Sequence, residues 1–151
     1  MTPVAIALGS NLGDRDGNLH EAARRVAAVI KHLRLSSFHD TAPVGVGEQP
    51  RFLNAAAVGE TTLSARDLLD ELLAVEAALG RERPYPGAPR TVDLDLLLYG
   101  DAVIDEPGLV VPHPRFRERR FVLAPLAEVA SAWTDPVSGK TVAALLAGLD
   151  A

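Results

Sequence analysis

Two aspartates that alternate with apolar residues are the clearest chemical feature of the sequence. They lie in the segment PRTVDLDLLLYG, residues 89–100. Residues two apart on a β-strand share a face, so we expect Asp93 and Asp95 to project from one surface with their Cβ atoms roughly 6.5–7 Å apart. Such a pair can hold one or two hard cations, for example Mg²⁺ bound to a polyphosphate, or it can be two solvated acids on an edge strand. The residues expected on the opposite, core-facing side are Val92, Leu94, Leu96 and Leu98.

Basic residues accompany this acidic pair in the sequence and favour a phosphate ligand. Arg90 comes three residues before Asp93, and the loop that precedes it contains Arg81 and Arg83. Guanidinium groups bind phosphate oxygens through paired hydrogen bonds. A second basic segment follows His113, and its imidazole and four guanidinium groups either suit a nucleoside triphosphate or form a solvated basic turn. The four arginines are Arg115, Arg117, Arg119 and Arg120.

An aromatic residue and an amide share a face of another predicted strand. Phe52 and Asn54 are two residues apart. Together they suit a flat heterocycle, which would stack on the ring and form hydrogen bonds with the amide. Phe52 taken alone is typical of a core residue, whereas a buried Asn54 needs hydrogen-bonding partners.

The composition argues against several functional classes. The chain has 151 residues, of which 48% are hydrophobic, so we expect one globular domain over residues 1–151. Its net charge of −5 disfavours a nucleic-acid partner, because the phosphate backbone would be repelled. The sequence contains no cysteine, so any metal must be bound by oxygen or imidazole ligands. No apolar run approaches the ~18–20 residues of a membrane span, and we expect a cytoplasmic protein.

Hydrophobic periodicity predicts the elements that would position these groups. A two-residue period at 4–8 predicts a first strand, and GSNLG at 9–13 favours a structural turn because it lacks the lysine and spacing of a P-loop. Steps of three and four residues predict helices at 16–33 and at 64–80, the second with Ser64 as its N-cap. Further strands are predicted at 35–41, 52–58 and 92–99, and further helices near 121–130 and 141–147. The order strand, helix, strand, strand, helix, strand is typical of an α+β ferredoxin-like split βαβ sandwich, here with a C-terminal extension.

These motifs, taken in order, resemble one known family over nearly the whole chain. That family is 6-hydroxymethyl-7,8-dihydropterin pyrophosphokinase of folate synthesis. The most specific matches are RTVDLDLLLYG at 90–100 and PHPRF at 112–116. The resemblance implies that the β,γ-pyrophosphoryl group of ATP is transferred to the hydroxymethyl group of the pterin, with release of AMP. The wider matching segments are GSNLG at 9–13, TAPVG at 41–45, QPRFLNAA at 49–56, VEAALGR at 75–81 and VPHPRFRERRFVLAPLAE at 111–128.

The resemblance also implies roles for individual residues. ATP is the co-substrate, and two Mg²⁺ ions are implied on Asp93 and Asp95. Arg81 and Arg90 are implied as catalytic residues that stabilise charge during the transfer. The implied pterin-binding residues are Thr41, Val44, Gly45, Phe52, Asn54 and Phe121. The implied ATP-binding residues are Glu76, Arg83, Arg90, Leu96, His113 and Arg119.

Some positions depart from the pattern of this family. The loop between Arg81 and Arg90 is one residue shorter than in the best-known members, and it lacks the aromatic residue that often precedes Gly-Pro-Arg. We therefore expect Tyr85 to cover the site when this loop closes, with an exposed tyrosine as the alternative. The departures on the ATP side are Leu73, Gly108, Val110 and Pro114.

Two other functional classes share parts of this pattern. A ligand-binding regulatory module on the same fold would need Phe52 and Asn54 but neither the aspartates nor the arginines. A palm-like nucleotidyl transferase would use paired aspartates on a similar sheet, although the negative charge and small size of the chain oppose it. We expect a monomeric enzyme whose partners are ATP and the pterin, with no nucleic-acid or membrane partner.

Overall fold

An antiparallel sheet with helices packed on both faces forms the centre of the protein in a computed structural model. The structure describes residues 1–42, 51–80 and 91–150. The strands are β1 Thr2–Ser10, β2 Lys31–Leu35, β3 His39–Thr41, β4 Phe52–Thr61, β5 Asp93–Tyr99, β6 Ile104–Glu106 and β7 Leu109–Val111. The helices are α1 Arg15–Val26, α2 Ala65–Ala78, α3 Arg120–Ala130 and α4 Val142–Asp150, with a short 3₁₀ helix at Phe116–Glu118. These elements confirm the expected α+β class.

The main sheet has the strand order β2-β4-β1-β5, and β3 also pairs with β4. All of these pairings are antiparallel. The two central strands have the longest register, which runs from Thr2 opposite Thr61 to Ser10 opposite Leu53. Strand β5 therefore lies at one edge of the sheet, with β1 as its strand neighbour.

Alternation along β1 divides the interior into two cores. Val4, Ile6 and Leu8 face a cluster that includes residues of α1 and α2. Ala5 and Ala7 face a second cluster, which includes residues of α3 and α4. The small alanines on this second face leave space between the sheet and the start of α3, and the cavity described below lies there.

The predicted helix at 16–33 is too long, because α1 ends at Val26. Ile30 and Leu33 keep the helical spacing, but Ile30 lies in the following turn and Leu33 in β2. A Cβ atom on Gly59 would lie 2.5 Å from both the Ile30 Cγ2 atom and the Lys31 carbonyl oxygen. Because glycine has no Cβ atom, residues 30 and 31 can lie against β4. Pairing of β2 with β4 therefore replaces the helix that the periodicity predicts beyond Val26.

The predicted strand at 35–41 is also wrong in its extent, because two short strands occupy this region. Leu35 pairs with Ala57 and His39 pairs with Asn54, so both strands run along β4. Between them the Ser36 hydroxyl accepts a hydrogen bond from the Ala56 N–H at 2.9 Å. A side chain that accepts a hydrogen bond from a backbone N–H in this way interrupts the regular hydrogen-bond ladder between strands.

A bulge in β5 corrects the predicted orientation of one core residue. Ile6 pairs with Leu96 and Ala5 pairs with Leu98, so Leu97 has no counterpart on β1. Leu98 consequently packs in the cluster on the α3 side, not with Leu94 and Leu96 as predicted. The bulge follows Leu96, so the alternation from 93 to 96 is retained.

The remaining elements agree with the sequence more closely. Ser64 caps α2 as predicted, and its hydroxyl accepts a hydrogen bond from the Asp67 N–H at 3.1 Å. The hairpin of β6 and β7 was not predicted, because its strands have three residues each and give no periodic signal. Within residues 1–42, 51–80 and 91–150, no helix is long and apolar enough to cross a membrane.

Candidate active site

A cavity of about 560 Å³ lies between the sheet and the start of α3. Strands β1, β3, β4 and β5 supply lining residues from the sheet. The residues that flank the 3₁₀ helix and the start of α3 add a basic wall. The cavity brings together residues that are far apart in the sequence. The predicted site residues that line it are Thr41, Phe52, Asn54, Asp93, Asp95, Arg119 and Phe121.

The two predicted metal ligands lie on the cavity side of β5. Asp93 pairs with Gly9 and Asp95 pairs with Ala7, so both acidic residues stand opposite small residues of β1. Across the described residues, no group of three or more histidine, cysteine or acidic side chains could hold a metal ion. Two carboxylates fit Mg²⁺, because this ion usually takes one or two protein carboxylates and completes its shell with water and phosphate oxygens.

Three arginines line the same cavity as the aspartates. Arg115, Arg119 and Arg120 form its basic wall, together with Glu118. The Arg119 guanidinium carbon lies 5.6 Å from the centre of the Phe121 ring, a cation–π distance that helps to orient both groups. This wall can bind an anion that also contacts cations held by the aspartates.

Arg117 does not belong to this wall, although the sequence places it among the four downstream guanidinium groups. Its Nη2 atom donates to the Asp135 Oδ1 atom at 2.9 Å. Asp135 is completely buried and also accepts from the Val137 N–H at 3.0 Å. The pair connects the 3₁₀ helix to the turn before α4, so Arg117 has a structural role in this segment.

An amide and an aromatic ring form the second chemical feature of the cavity. Asn54 is buried, and its Nδ2 atom donates to the Thr41 hydroxyl at 2.6 Å. A Cβ atom on Gly9 would lie 3.2 Å from the Asn54 Oδ1 atom and 3.9 Å from the Phe52 Cδ1 atom. Gly9 therefore gives Asn54 and Phe52 the space that they occupy. Phe121 reaches the same cavity from α3.

An ion-pair network beside the cavity-lining residues Thr41 and Phe52 was not predicted. The Asp40 carboxylate accepts from the Arg51 Nε atom at 2.8 Å and from the Arg15 Nη2 atom at 3.2 Å. Arg15 also donates to the Arg51 carbonyl oxygen at 2.8 Å. Hydrogen bonds from Arg15 and then Arg51 hold the pKa of Asp40 below its usual range. The network joins α1, β3 and the residue before β4, and no sequence spacing connects these three positions.

A second cavity of about 280 Å³ adjoins the first, because Asp95 lines both. Two of the predicted ATP-side residues, Leu96 and His113, lie in its wall. The wall is largely apolar and includes three of the positions that depart from the family pattern. These positions are Gly108, Val110 and Pro114.

His113 has a defined hydrogen-bonding state in this second cavity. Its Nδ1 atom accepts from the Arg115 N–H at 3.2 Å, so the neutral ring carries its proton on Nε2. Burial, followed by the positive charges of Arg119 and Arg115, lowers the pKa of His113. The neutral ring is favoured for these reasons, and it can donate one hydrogen bond to an acceptor.

The remaining predicted site residues are Glu76, which lies away from the cavity linings, and six residues outside the described part of the chain. Glu76 is buried on α2, and its carboxylate accepts from the Leu94 N–H at 2.7 Å. It is not among the residues that line either cavity in the described part of the chain. The predictions outside the described residues are Val44, Gly45, Arg81, Arg83, Tyr85 and Arg90.

The GSNLG segment ends β1 and forms a structural turn after it, as predicted. The Asn18 Nδ2 atom donates to the Leu12 carbonyl oxygen at 2.9 Å and lies 3.3 Å from the Thr91 carbonyl oxygen. Ser10 at the end of β1 and Asn11 in the turn are completely buried. These contacts connect the turn to the residues immediately before β5.

Comparison with known proteins gives a consistent result. The family model of 7,8-dihydro-6-hydroxymethylpterin-pyrophosphokinase (HPPK) matches residues 5–131. The 2-amino-4-hydroxy-6-hydroxymethyldihydropteridine pyrophosphokinase of Synechocystis sp. is 41% identical over 97% of this chain and 76% of its own. The protein of the same name from Methylorubrum extorquens is 42% identical over 99% of this chain and 95% of its own.

Longer proteins contain a similar segment. The mitochondrial folate synthesis bifunctional protein of Arabidopsis thaliana is 44% identical over 87% of this chain, which spans 24% of that protein. The crystal structure of Plasmodium falciparum HPPK-DHPS with pteroate has the same fold over 97% of this chain, with a TM-score of 0.77 and 12% identity. This chain spans 42% of that structure. Together with the family model and the shorter relatives, these findings show that the chain belongs to the 7,8-dihydro-6-hydroxymethylpterin-pyrophosphokinase family.

Proposed function

We propose that the two adjoining cavities carry out the reaction of this family. The β,γ-pyrophosphoryl group of ATP is transferred to the hydroxymethyl group of 6-hydroxymethyl-7,8-dihydropterin, which gives the pterin diphosphate and AMP in folate biosynthesis. One observation carries the proposal: the acidic pair, the arginine wall and the aromatic–amide group line a single cavity.

The aromatic–amide group supports binding of the pterin. Phe52 and Phe121 can contact the two faces of a flat ring, and Asn54 can hydrogen-bond its edge. The Asn54 side chain is already fixed through Thr41, so little conformational freedom is lost when the ring binds. We include Val44 and Gly45 in this pocket as proposals from the family resemblance.

The acidic pair and the arginine wall support binding of the polyphosphate. We propose that Asp93 and Asp95 are the residues that would hold two Mg²⁺ ions, and bound ions would supply charge neutralisation for the phosphates. Arg115, Arg119 and Arg120 line the same cavity and can bind phosphate oxygens there. The nucleoside would then occupy the second cavity beside Leu96, where the His113 Nε2–H can donate to a phosphate. We retain Arg81, Arg83 and Arg90 as further cationic residues of the ATP side.

The chemistry needs alignment more than a strong base. The pterin hydroxymethyl oxygen forms a bond to the β-phosphorus, and the bond between that phosphorus and the oxygen bridging it to the α-phosphorus breaks. AMP leaves with the bridging oxygen, and the hydroxyl proton is released. Positioning and charge neutralisation provide most of the catalysis in such transfers, and the aspartates and arginines suit both tasks.

Formation of AMP tests this function. The chain is incubated with ATP, Mg²⁺ and hydroxymethyldihydropterin, and AMP is measured with and without the pterin. We expect AMP formation that needs both the pterin and the metal. Pterin binding without AMP formation would indicate a regulatory module instead, and pyrophosphate release with a nucleic-acid primer would indicate a nucleotidyl transferase.

The strand order also bears on the organisation of the whole molecule. The sheet order β2-β4-β1-β5 supports a ferredoxin-like split βαβ arrangement, to which the hairpin and the C-terminal helices are added. We propose that residues 1–151 act as one pyrophosphokinase domain, as a monomer in the cytoplasm. Light scattering on the purified chain tests the monomer, and a mass of two chains would contradict it.

A further inference from the structure

Glu76 is a buried acid whose role the cavities do not explain. It is only 3% exposed, and it is absent from the described lining of both cavities. Its carboxylate accepts the hydrogen bond from the Leu94 N–H at 2.7 Å. Leu94 lies between Asp93 and Asp95 in the sequence, so Glu76 contacts the backbone at the centre of the acidic pair.

The position of β5 in the sheet explains why such a contact matters. β5 is an edge strand of the main sheet, and β1 is its neighbour there. An antiparallel edge strand leaves every second backbone N–H without a strand partner. A buried N–H without an acceptor is unfavourable, and Glu76 supplies the acceptor for Leu94 from α2.

We propose that Glu76 is a positioning residue, which holds the β5 backbone so that Asp93 and Asp95 keep one spacing and one direction. This inference rests on the proposed function, and it replaces the ATP contact that the family resemblance implies for Glu76. Pairing with Gly9 and Ala7 fixes the two aspartates from the side of β1. Glu76 fixes the backbone of the intervening Leu94 from α2. Removal of the Glu76 carboxylate should therefore increase the motion of the β5 backbone between Asp93 and Asp95.

Three variants of the full chain separate this role from general stabilisation. Glu76→Gln keeps an oxygen that can accept from Leu94, and Glu76→Met removes the acceptor at similar side-chain length. Ser64→Ala is the matched control, because it removes another side-chain acceptor of a backbone N–H, that of Asp67, at the N-terminal end of the same helix. The Ser64 hydroxyl bonds within its own helix and not to β5, and Ser64 does not line either cavity in the described part of the chain.

Amide hydrogen exchange at Leu94 in the metal-free protein is the first measurement. We expect exchange at least about tenfold faster in Glu76→Met after correction for global stability, because the N–H loses its acceptor. Glu76→Gln and Ser64→Ala should stay within about threefold of the original rate. Unchanged exchange in Glu76→Met, or equally fast exchange in Glu76→Gln, would overturn the proposal. If Glu76→Met does not fold, the result for Glu76→Gln decides.

Steady-state kinetics are the second measurement. We expect Glu76→Met to lower kcat about tenfold and to raise the Mg²⁺ concentration needed for half-maximal rate, with the KM for ATP within about threefold. A higher KM for ATP at unchanged kcat would return Glu76 to a direct ATP contact and overturn the proposal. A parent chain that forms no AMP would refute the proposed function, whereas unchanged Leu94 exchange in Glu76→Met refutes the contact alone.

Discussion

Asp93 and Asp95 are the residues on which the proposed chemistry depends most. Replacing either with alanine should lower kcat by about 100-fold or more, because charge stabilisation at the transferred group is lost. The fold should survive, since both side chains face the cavity and not the core. Asp101→Ala is the matched control, because this exposed aspartate lies in the turn after β5 and lines neither cavity. Activity near that of the parent in both single variants, at saturating Mg²⁺, would remove the assignment.

Asn54 should determine affinity for the pterin. Asn54→Leu should weaken pterin binding by about 1–3 kcal/mol, because a donor or acceptor on the ligand loses its partner. Calorimetry with the pterin measures this change, and calorimetry with ATP serves as the internal control, because ATP affinity should be nearly unchanged. Equal pterin affinity in the variant and the parent would contradict the role of Asn54.

Gly9 should influence the same pocket through the space that it leaves. A Cβ atom there would lie 3.2 Å from the Asn54 Oδ1 atom, so Gly9→Ala should displace that side chain and weaken pterin binding about threefold to tenfold. Gly148→Ala is the control, because a Cβ atom at that helical position meets nothing within 4 Å. Pterin affinity that is the same in both variants would show that Gly9 does not shape the pocket.

At the scale of elements, the Arg117–Asp135 pair connects the 3₁₀ helix to the turn before α4. Burial alone would raise the pKa of Asp135, but hydrogen bonds from Arg117, Ser138 and Val137 outweigh it and hold that pKa below its usual range. Because its pKa is lower in the folded state, the Asp135 carboxylate stabilises the fold at pH values above its unfolded-state pKa of about 3.9. This stabilisation is lost as the pH falls towards the folded-state pKa.

Asp135→Asn should therefore lower the free energy of unfolding at pH 7 by about 2–3 kcal/mol. The loss of stability between pH 5 and pH 3 should be smaller in this variant than in the parent, because the titrating group is absent. Urea denaturation across that range measures both effects, with the exposed Asp70→Asn as the control. An equally steep acid dependence in Asp135→Asn would show that the lowered pKa of Asp135 does not contribute to acid unfolding.

The elements that the sequence predicts well are those with a long or capped pattern. Ser64 identifies the start of α2, and the two-residue period of β1 appears as a central strand. The errors occur where tertiary contacts override local pattern. Gly59 leaves space for residues 30 and 31 against β4, so the chain forms β2 where the periodicity predicts helix. The bulge at Leu97 reverses the orientation of Leu98, and the pattern of a single strand does not reveal a bulge.

At the scale of the whole molecule, the same distinction applies to the site. Shared strand faces could be predicted from spacing, and both Asp93 with Asp95 and Phe52 with Asn54 line one cavity. The partners of these groups lie far away in the sequence and depend on how the helices pack on the sheet. Three sets of contacts therefore could not be predicted from the sequence. They are the ion pairs of Asp40 with Arg15 and Arg51, the Arg117–Asp135 pair and the hydrogen bond between Glu76 and Leu94.

In the proposed reaction, one cavity transfers an intact pyrophosphoryl group from ATP to a pterin. Phosphorus-31 NMR of a reaction with ATP, Mg²⁺ and hydroxymethyldihydropterin is the decisive measurement, because each phosphorus atom is followed into its product. We expect AMP and a pterin diphosphate to form in equal amounts while ATP disappears, with no ADP formed by the chain. ADP together with a pterin monophosphate, or no change in the ATP signals, would refute pyrophosphoryl transfer.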